Sequence, residues 1–209
     1  MAALAYTVAS GAADVVLRSF DQDPVGAAPP GFSFAAARLP AAGRWLVRAD
    51  GMNRYVAHLS DSSPAEGFAM ALAETTPPQA LRLSARVKLA EGTRVGGLVW
   101  RYLGPDNFYA VALDLTAQEV SLYRVTRGNR IRLEFEDDLE LDREAWHVLR
   151  VEHAEGRIRV ALGGIGVMRA RQRDDAGGEG RAGIWSAGNA TSWFDDLNLQ
   201  EAERGGGGR

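Results

Sequence analysis

The sequence predicts an all-β domain made of two antiparallel sheets packed face to face. Three observations carry this expectation. Apolar residues recur with a period of two, most clearly from Leu81 to Leu89, as in strands with one buried face. Turn residues punctuate the chain at the roughly 8–12-residue spacing of a sandwich or barrel. No segment shows the helical periodicity over roughly 10–15 residues that a parallel α/β fold needs between its strands. A chain of 209 residues suits one such domain and can bury about 70% of its extended-state surface.

Taken in order, residues 1–16 are small and apolar but contain no Lys or Arg. They lack the charged start of a secretory signal and are read as a poorly ordered leader or the remnant of a trimmed signal. The sandwich is expected over 17–201. Between Pro64 and Glu74, Ala and Glu favour helix. Yet Phe68, Met70 and Leu72 alternate with Ala, and Pro77-Pro78 ends the segment, so a strand is predicted. Leu81–Leu89, Val120–Val125, His147–Glu152 and Arg157–Leu162 are further strands. Arg127-Gly-Asn129 and Glu155-Gly156 supply residues that tolerate positive φ, giving hairpins over 124–132 and 148–162. Gly104-Pro-Asp-Asn107, Asp174-Asp-Ala-Gly-Gly178 and Gly188-Asn189 mark other turns. About twelve to fourteen short strands result. The expected core is Leu81, Leu83, Val87, Leu98, Val111, Leu122, Leu149, Val151, Ile158, Val160, Ile184 and Leu197. Arginines at strand centres should lie on the open faces, stems on apolar surface and heads in water. Residues 202–209 form a flexible Gly-rich tail.

Lys plus Arg is 24 and Asp plus Glu is 27, a net charge of −3. So small a balance argues against general nucleic-acid binding, which needs a clustered cationic face. There is no cysteine, which removes disulfides, Cys–zinc sites and thiol catalysis and is compatible with a secreted or periplasmic location. No run of about 18 apolar residues exists to span a membrane as a helix. Of the basic residues only Lys88 is lysine. Coding bias explains such a ratio, and so does a need for planar guanidinium forks that pair with sugars or carboxylates. No Gly-x-Ser-x-Gly elbow, phosphate loop or dinucleotide glycine motif occurs. His58, His147 and His153 show no metal-ligand spacing.

Several segments carry a resemblance. Phe20-Asp-Gln-Asp-Pro-Val-Gly26, Gly96-Gly-Leu-Val-Trp-Arg-Tyr102, Pro105-Asp-Asn-Phe-Tyr109, Val120-Ser-Leu-Tyr-Arg-Val125, Glu144-Ala-Trp-His147 and Ser192-Trp-Phe-Asp-Asp-Leu197 occur in this order. Together they resemble concanavalin-A-like jelly-roll domains of the bacterial 3-keto-disaccharide hydrolase-type or laminin-G-like group, over roughly residues 18–199 (the order, not any one motif, is what is specific). The stretch from Leu162 to Arg181 departs from that pattern, which usually has a hairpin with an Asp-Gly turn there.

The resemblance implies an antiparallel jelly-roll sandwich, concanavalin A-like lectin/glucanase in type, with a ligand in a concave groove. Its members are sugar-binding modules or glycan-processing enzymes, and the fold alone does not choose between them. Rings stack on sugar C–H faces while Asn and Arg bond hydroxyls, so Arg101, Asn107, Tyr123, Arg124 and Trp185 are the expected ligand-binding set. Trp100 and Trp193 are expected in the core. Glu136, Asp138 and Glu140 fall on one face if they continue a strand, as in laminarinase-like glycosidases; the other reading is a solvated acidic edge, and no catalytic residue is assigned. Jelly-roll relatives also suggest a structural calcium at Asp196 with Asp21. Calcium needs six to eight oxygens, and the alternative is a strand-edge carboxylate paired with Arg. The expected function is a non-catalytic module binding carbohydrate or another polymer. The alternatives are a glycan-processing hydrolase of the 3-keto-disaccharide type and a structural or protein-interaction sandwich whose groove is filled.

Overall fold

The structure, a computed structural model, describes residues 16–59, 64–171 and 180–202. The leader expected over 1–16 and the tail expected over 202–209 therefore lie almost wholly outside the described residues, as does the turn at Asp174–Gly178.

Among the described residues fifteen strands follow one another and no helix occurs. They are β1 (Val16–Arg18), β2 (Phe32–Ala37), β3 (Arg44–Asp50), β4 (Asn53–Leu59), β5 (Phe68–Ala73), β6 (Leu81–Glu91), β7 (Val95–Gly104) and β8 (Asn107–Asp114). The second half contains β9 (Glu119–Thr126), β10 (Asn129–Glu136), β11 (His147–Ala154), β12 (Arg157–Leu162), β13 (Ile165–Arg171), β14 (Arg181–Ala187) and β15 (Thr191–Glu201). The eight-stranded sheet runs β13-β12-β11-β6-β15-β4-β3, with β1 added to β15. The seven-stranded sheet runs β10-β9-β8-β7-β14-β5-β2. All the pairings are antiparallel, so the predicted two-sheet sandwich is what the chain forms.

Period two decides which side chains meet. Along β6 the odd-numbered residues from Leu81 to Leu89 are buried and the even-numbered ones are half-buried. All twelve expected core residues lie in one cluster between the sheets. Burying each large aliphatic side chain contributes about 1.5–3 kcal/mol. In β5 every residue is buried. Ala69, Ala71 and Ala73 join the core between the sheets, while Phe68, Met70 and Leu72 belong to a second apolar cluster on the opposite face of the seven-stranded sheet. Small residues on one side and large ones on the other let this strand sit close to the facing sheet. Gly183 of β14 meets a different demand, within the sheet: a Cβ there would stand 2.1 Å from the carbonyl oxygen of Ala71 on the neighbouring strand β5.

Two expectations change. The acidic segment does not extend its strand: β10 ends at Glu136, and Asp138 has φ +55°. Glu136, Asp138 and Glu140 are exposed and do not share a strand face. The stretch after Leu162, expected to depart from a hairpin, forms one. Gly163 and Gly164, with φ +58° and +88°, close the β12–β13 turn, the backbone that a two-residue hairpin requires at both central positions. The register of this hairpin shifts at Val160/Ala161.

Candidate functional site

Strand parity separates the five expected ligand residues. Trp185 and Tyr123 are on the outer face of the seven-stranded sheet, within or against its second apolar cluster. Trp185 is 3% exposed. Its indole N–H donates to the Val111 carbonyl at 3.0 Å, and its ring lies 4.4 Å from that of Phe68. Tyr123 is half-buried with the Arg130 guanidinium 5.1 Å above its ring. Arg124, the next residue, points to the other side of the sheet, 5.7 Å from the ring of the core residue Tyr109. Arg101 sits at φ +50° where the β7–β8 register shifts, and its Nη2 donates to the Gln79 carbonyl at 3.5 Å. Burial pulls its pKa below the usual arginine value, a change that leaves it protonated at neutral pH. Asn107 is exposed at the start of β8, where its Oδ1 accepts from the Arg127 backbone N–H at 3.3 Å. These five residues do not converge on one groove.

The two expected calcium ligands are also engaged elsewhere. Asp21 Oδ1 accepts from the Arg54 backbone N–H at 3.0 Å. Asp196 Oδ2 lies 3.5 Å from Arg86 Nη1. Its neighbour Asp195 is buried, accepts from Asn53 Nδ2 at 3.1 Å, and lies 3.6 Å from the same guanidinium. Burial raises the Asp195 pKa above the ordinary aspartate value, opposed by the hydrogen bonds from Asn53 and the Asp196 backbone. Arg86 thus lies within ion-pair distance of both Asp195 and Asp196. Among the described residues, no three His, Cys, Asp or Glu side chains are grouped to hold a metal. Of the histidines, His153 accepts from the Trp100 indole at 3.0 Å and His58 Nδ1 lies 3.0 Å from the Ala190 carbonyl, both in the interior. The third, His147, lies 2.7 Å from the Asp142 carbonyl.

An aromatic cluster lies on the outer face of the eight-stranded sheet, with Tyr55 buried at its base, 7% exposed. Tyr55 of β4, Trp193 of β15 and Trp146, just before β11, meet there. Their ring centroids are 5.0 Å apart for Tyr55–Trp193, 5.8 Å for Tyr55–Trp146 and 6.4 Å for Trp146–Trp193. Both tryptophans are half-buried and retain exposed surface. Lys88, directly opposite Trp193 in the ladder, places its ammonium 5.3 Å from that ring, and Arg86 lies 5.0 Å from Trp146. Trp193 was expected in the core; parity puts Phe194 there instead, fully buried, and turns Trp193 outward. Tyr55 lay in no motif, and Trp146 stood in the Glu144-Ala-Trp-His147 segment without being assigned to a site. The signal that could have found them is the register that sets Lys88 beside Trp193 and Trp193 beside Ala57. Trp100, by contrast, is in the core as expected.

A two-sheet antiparallel sandwich of this order defines the class to which the chain belongs, and solved structures share it. The carbohydrate-binding module CBM66 from Bacillus subtilis is similar with a TM-score of 0.64 at 18% identity, over 79% of this chain and 96% of that one. A Bacillus subtilis protein of unknown function with a galectin-like fold gives 0.60 at 10% identity, over 83% and 90%. Domain 4 of AbnA, an extracellular arabinanase from Geobacillus stearothermophilus, in complex with arabinotriose, gives 0.60 at 13% identity, over 89% and 91%. These likenesses establish the fold. No protein-family model and no curated protein matches the sequence.

Proposed function

We propose that this chain is a non-catalytic carbohydrate-binding module that holds a glycan across the outer face of its eight-stranded sheet. The observation that carries this is the Tyr55–Trp146–Trp193 cluster. Aromatic rings bury the C–H faces of sugars, while Arg86, Lys88 and Asp196 at the rim offer donors and an acceptor to hydroxyls. The rings are inclined to one another by 34° to 73°. They form a twisted surface that suits a single soluble chain better than a flat crystalline one. Two of the similar structures, the carbohydrate-binding module and the arabinotriose-bound domain, match this sandwich over nearly their whole length, which favours a self-sufficient binding domain.

A hydrolase of the 3-keto-disaccharide type is the second reading. Its carboxylate candidates leave the strand after Glu136, and release of product from keto-disaccharides by the purified chain would support it. Binding is tested by calorimetry against soluble arabinan, xylan, galactan and fructan. Trp193→Ala and Trp146→Ala should each weaken the best ligand by at least about tenfold, about 1.4 kcal/mol, with the fold retained by circular dichroism. Binding to none of the panel, or affinity unchanged in both variants, would overturn the proposal.

A further inference from the structure

Resting on the glycan-binding reading, we infer that the ligand of this face is an acidic polysaccharide, whose carboxylates are taken by an arginine quartet on β12 and β13.

The hairpin register places Arg157 directly opposite Arg171 and Arg159 directly opposite Arg169. Ile158 and Ala170, the pair between them, pack toward the core. All four arginines therefore stand on the outer face of the eight-stranded sheet, the face of Trp193. Adjacent strands are about 4.8 Å apart and alternate residues along a strand about 6.8 Å, so the quartet forms a tight cationic grid. Like charges directly opposite in a ladder are destabilising, and here two such pairs are adjacent.

Among the described residues, neutralisation is thin. Glu152 is the acid in the same lateral row, and Arg82 already holds it at 2.8 Å, leaving Arg159 at 4.0 Å. Arg157 reaches only Glu155, at 3.9 Å, and both of those side chains are at least 60% exposed. Among the described residues, no carboxylate lies within 4 Å of Arg169 or Arg171. Beside the quartet, at the open edge between the two sheets, lies a cleft of about 1040 Å³ whose walls include the core-side residues Tyr109, Leu133 and Ile158, with Arg124 and Glu134. Apolar walls beside guanidinium groups match a sugar chain, which presents C–H faces and charged groups together. Guanidinium forks pair bidentately with carboxylates, more strongly than with neutral acceptors. From the quartet the face continues through Arg82, Arg150 and Arg86 to the aromatic cluster. That is four strand spacings, about 19 Å, from β13 to β15, a length that a linear polymer can bridge.

The test uses the full chain with polygalacturonate, and with the same polymer methyl-esterified as an uncharged control. The acid form should bind at least about tenfold more tightly than the ester, and raised salt should weaken it. The paired variants Arg159→Gln with Arg169→Gln, and Arg157→Gln with Arg171→Gln, should each lose at least about tenfold in affinity. Their melting midpoints should be unchanged or raised, since each removes a like-charge pair. Equal affinity for acid and ester would overturn the inference, and so would an unchanged affinity in both paired variants. Equally tight binding of duplex DNA would also overturn it, by showing a general polyanion surface. Neutral glycans bound through Trp193 with no preference for the acid would refute the inference and leave the module reading intact. Binding of no glycan at all would refute both.

Discussion

Trp185 offers the sharpest check on the division between core and surface. If it serves to fill the outer cluster of the seven-stranded sheet, its replacement should cost stability and leave ligand affinity alone. Trp185→Phe keeps a ring against Phe68, now 4.4 Å away, but removes the donor that meets the Val111 carbonyl at 3.0 Å. A buried hydrogen bond contributes about 1 kcal/mol net, and the smaller ring forfeits roughly another 1 kcal/mol of buried surface. At about 2–4 °C per kcal/mol for a chain of this size, the midpoint should fall by about 4–8 °C. Trp185→Ala removes the ring entirely and should cost about 3–5 kcal/mol. Urea unfolding followed by circular dichroism measures both losses, and calorimetry below the midpoint measures glycan affinity. A Trp185→Phe protein with unchanged stability but affinity lowered tenfold would refute this reasoning and return the ligand to the seven-stranded sheet.

Two further outcomes follow from the Asp195–Asp196 corner. A calcium ion held at a hundredfold its Kd would add about 2.7 kcal/mol, so chelation would lower the midpoint by roughly 5–11 °C. With Arg86 between the carboxylates, adding a chelator should leave the melting midpoint where it is, and a fall of that size would restore the metal. Asp195 has its folded pKa raised above the ordinary value of 3.8 by burial. The folded state then binds the proton more tightly than the unfolded state, so this residue's contribution makes stability fall as pH rises through the window above 3.8. Asp195→Asn should remove that fall from the urea midpoints, and an identical pH profile in the variant would show that burial does not govern this carboxyl.

The fold was readable because both sheets have a common interior. Every apolar position chosen from alternation along Leu81–Leu89, His147–Glu152 and Arg157–Leu162 packs in it, since a strand with one buried face writes its parity into the sequence. Even β5 obeyed this, although both its faces are covered, because small and large residues divide between them. The candidate site was less readable for the same physical reason. Aromatic residues mark a buried face as readily as a binding one, so Trp185 and Trp193 looked alike. What separates them is which neighbour faces the core: Ile184 is inward and puts Trp185 in the second cluster, while Phe194 is inward and puts Trp193 beside Lys88. Composition and motif order contain neither fact.

The arginine quartet shows how a single residue can decide such a question. From the turn at Gly163-Gly164, strict pairing would set Arg159 against Met168 and Arg157 against Ala170. That register would send Arg169 and Arg171 to the core side and Met168 to solvent. A one-residue slip moves every side chain of a strand to the other face, and a bulge supplies such a slip locally. The register shift at Val160/Ala161 does this here, so that Met168 is 6% exposed and packs in the core while the arginines of both strands share the outer face. Burial of Met168 explains why the bulge is favoured, and the crowding of four guanidinium groups is its consequence. The net charge of −3 concealed this, because a sum over the surface contains no register. That sum argues against a clustered cationic face only for a surface with mixed charges, and the outer face of β12 and β13 is not mixed.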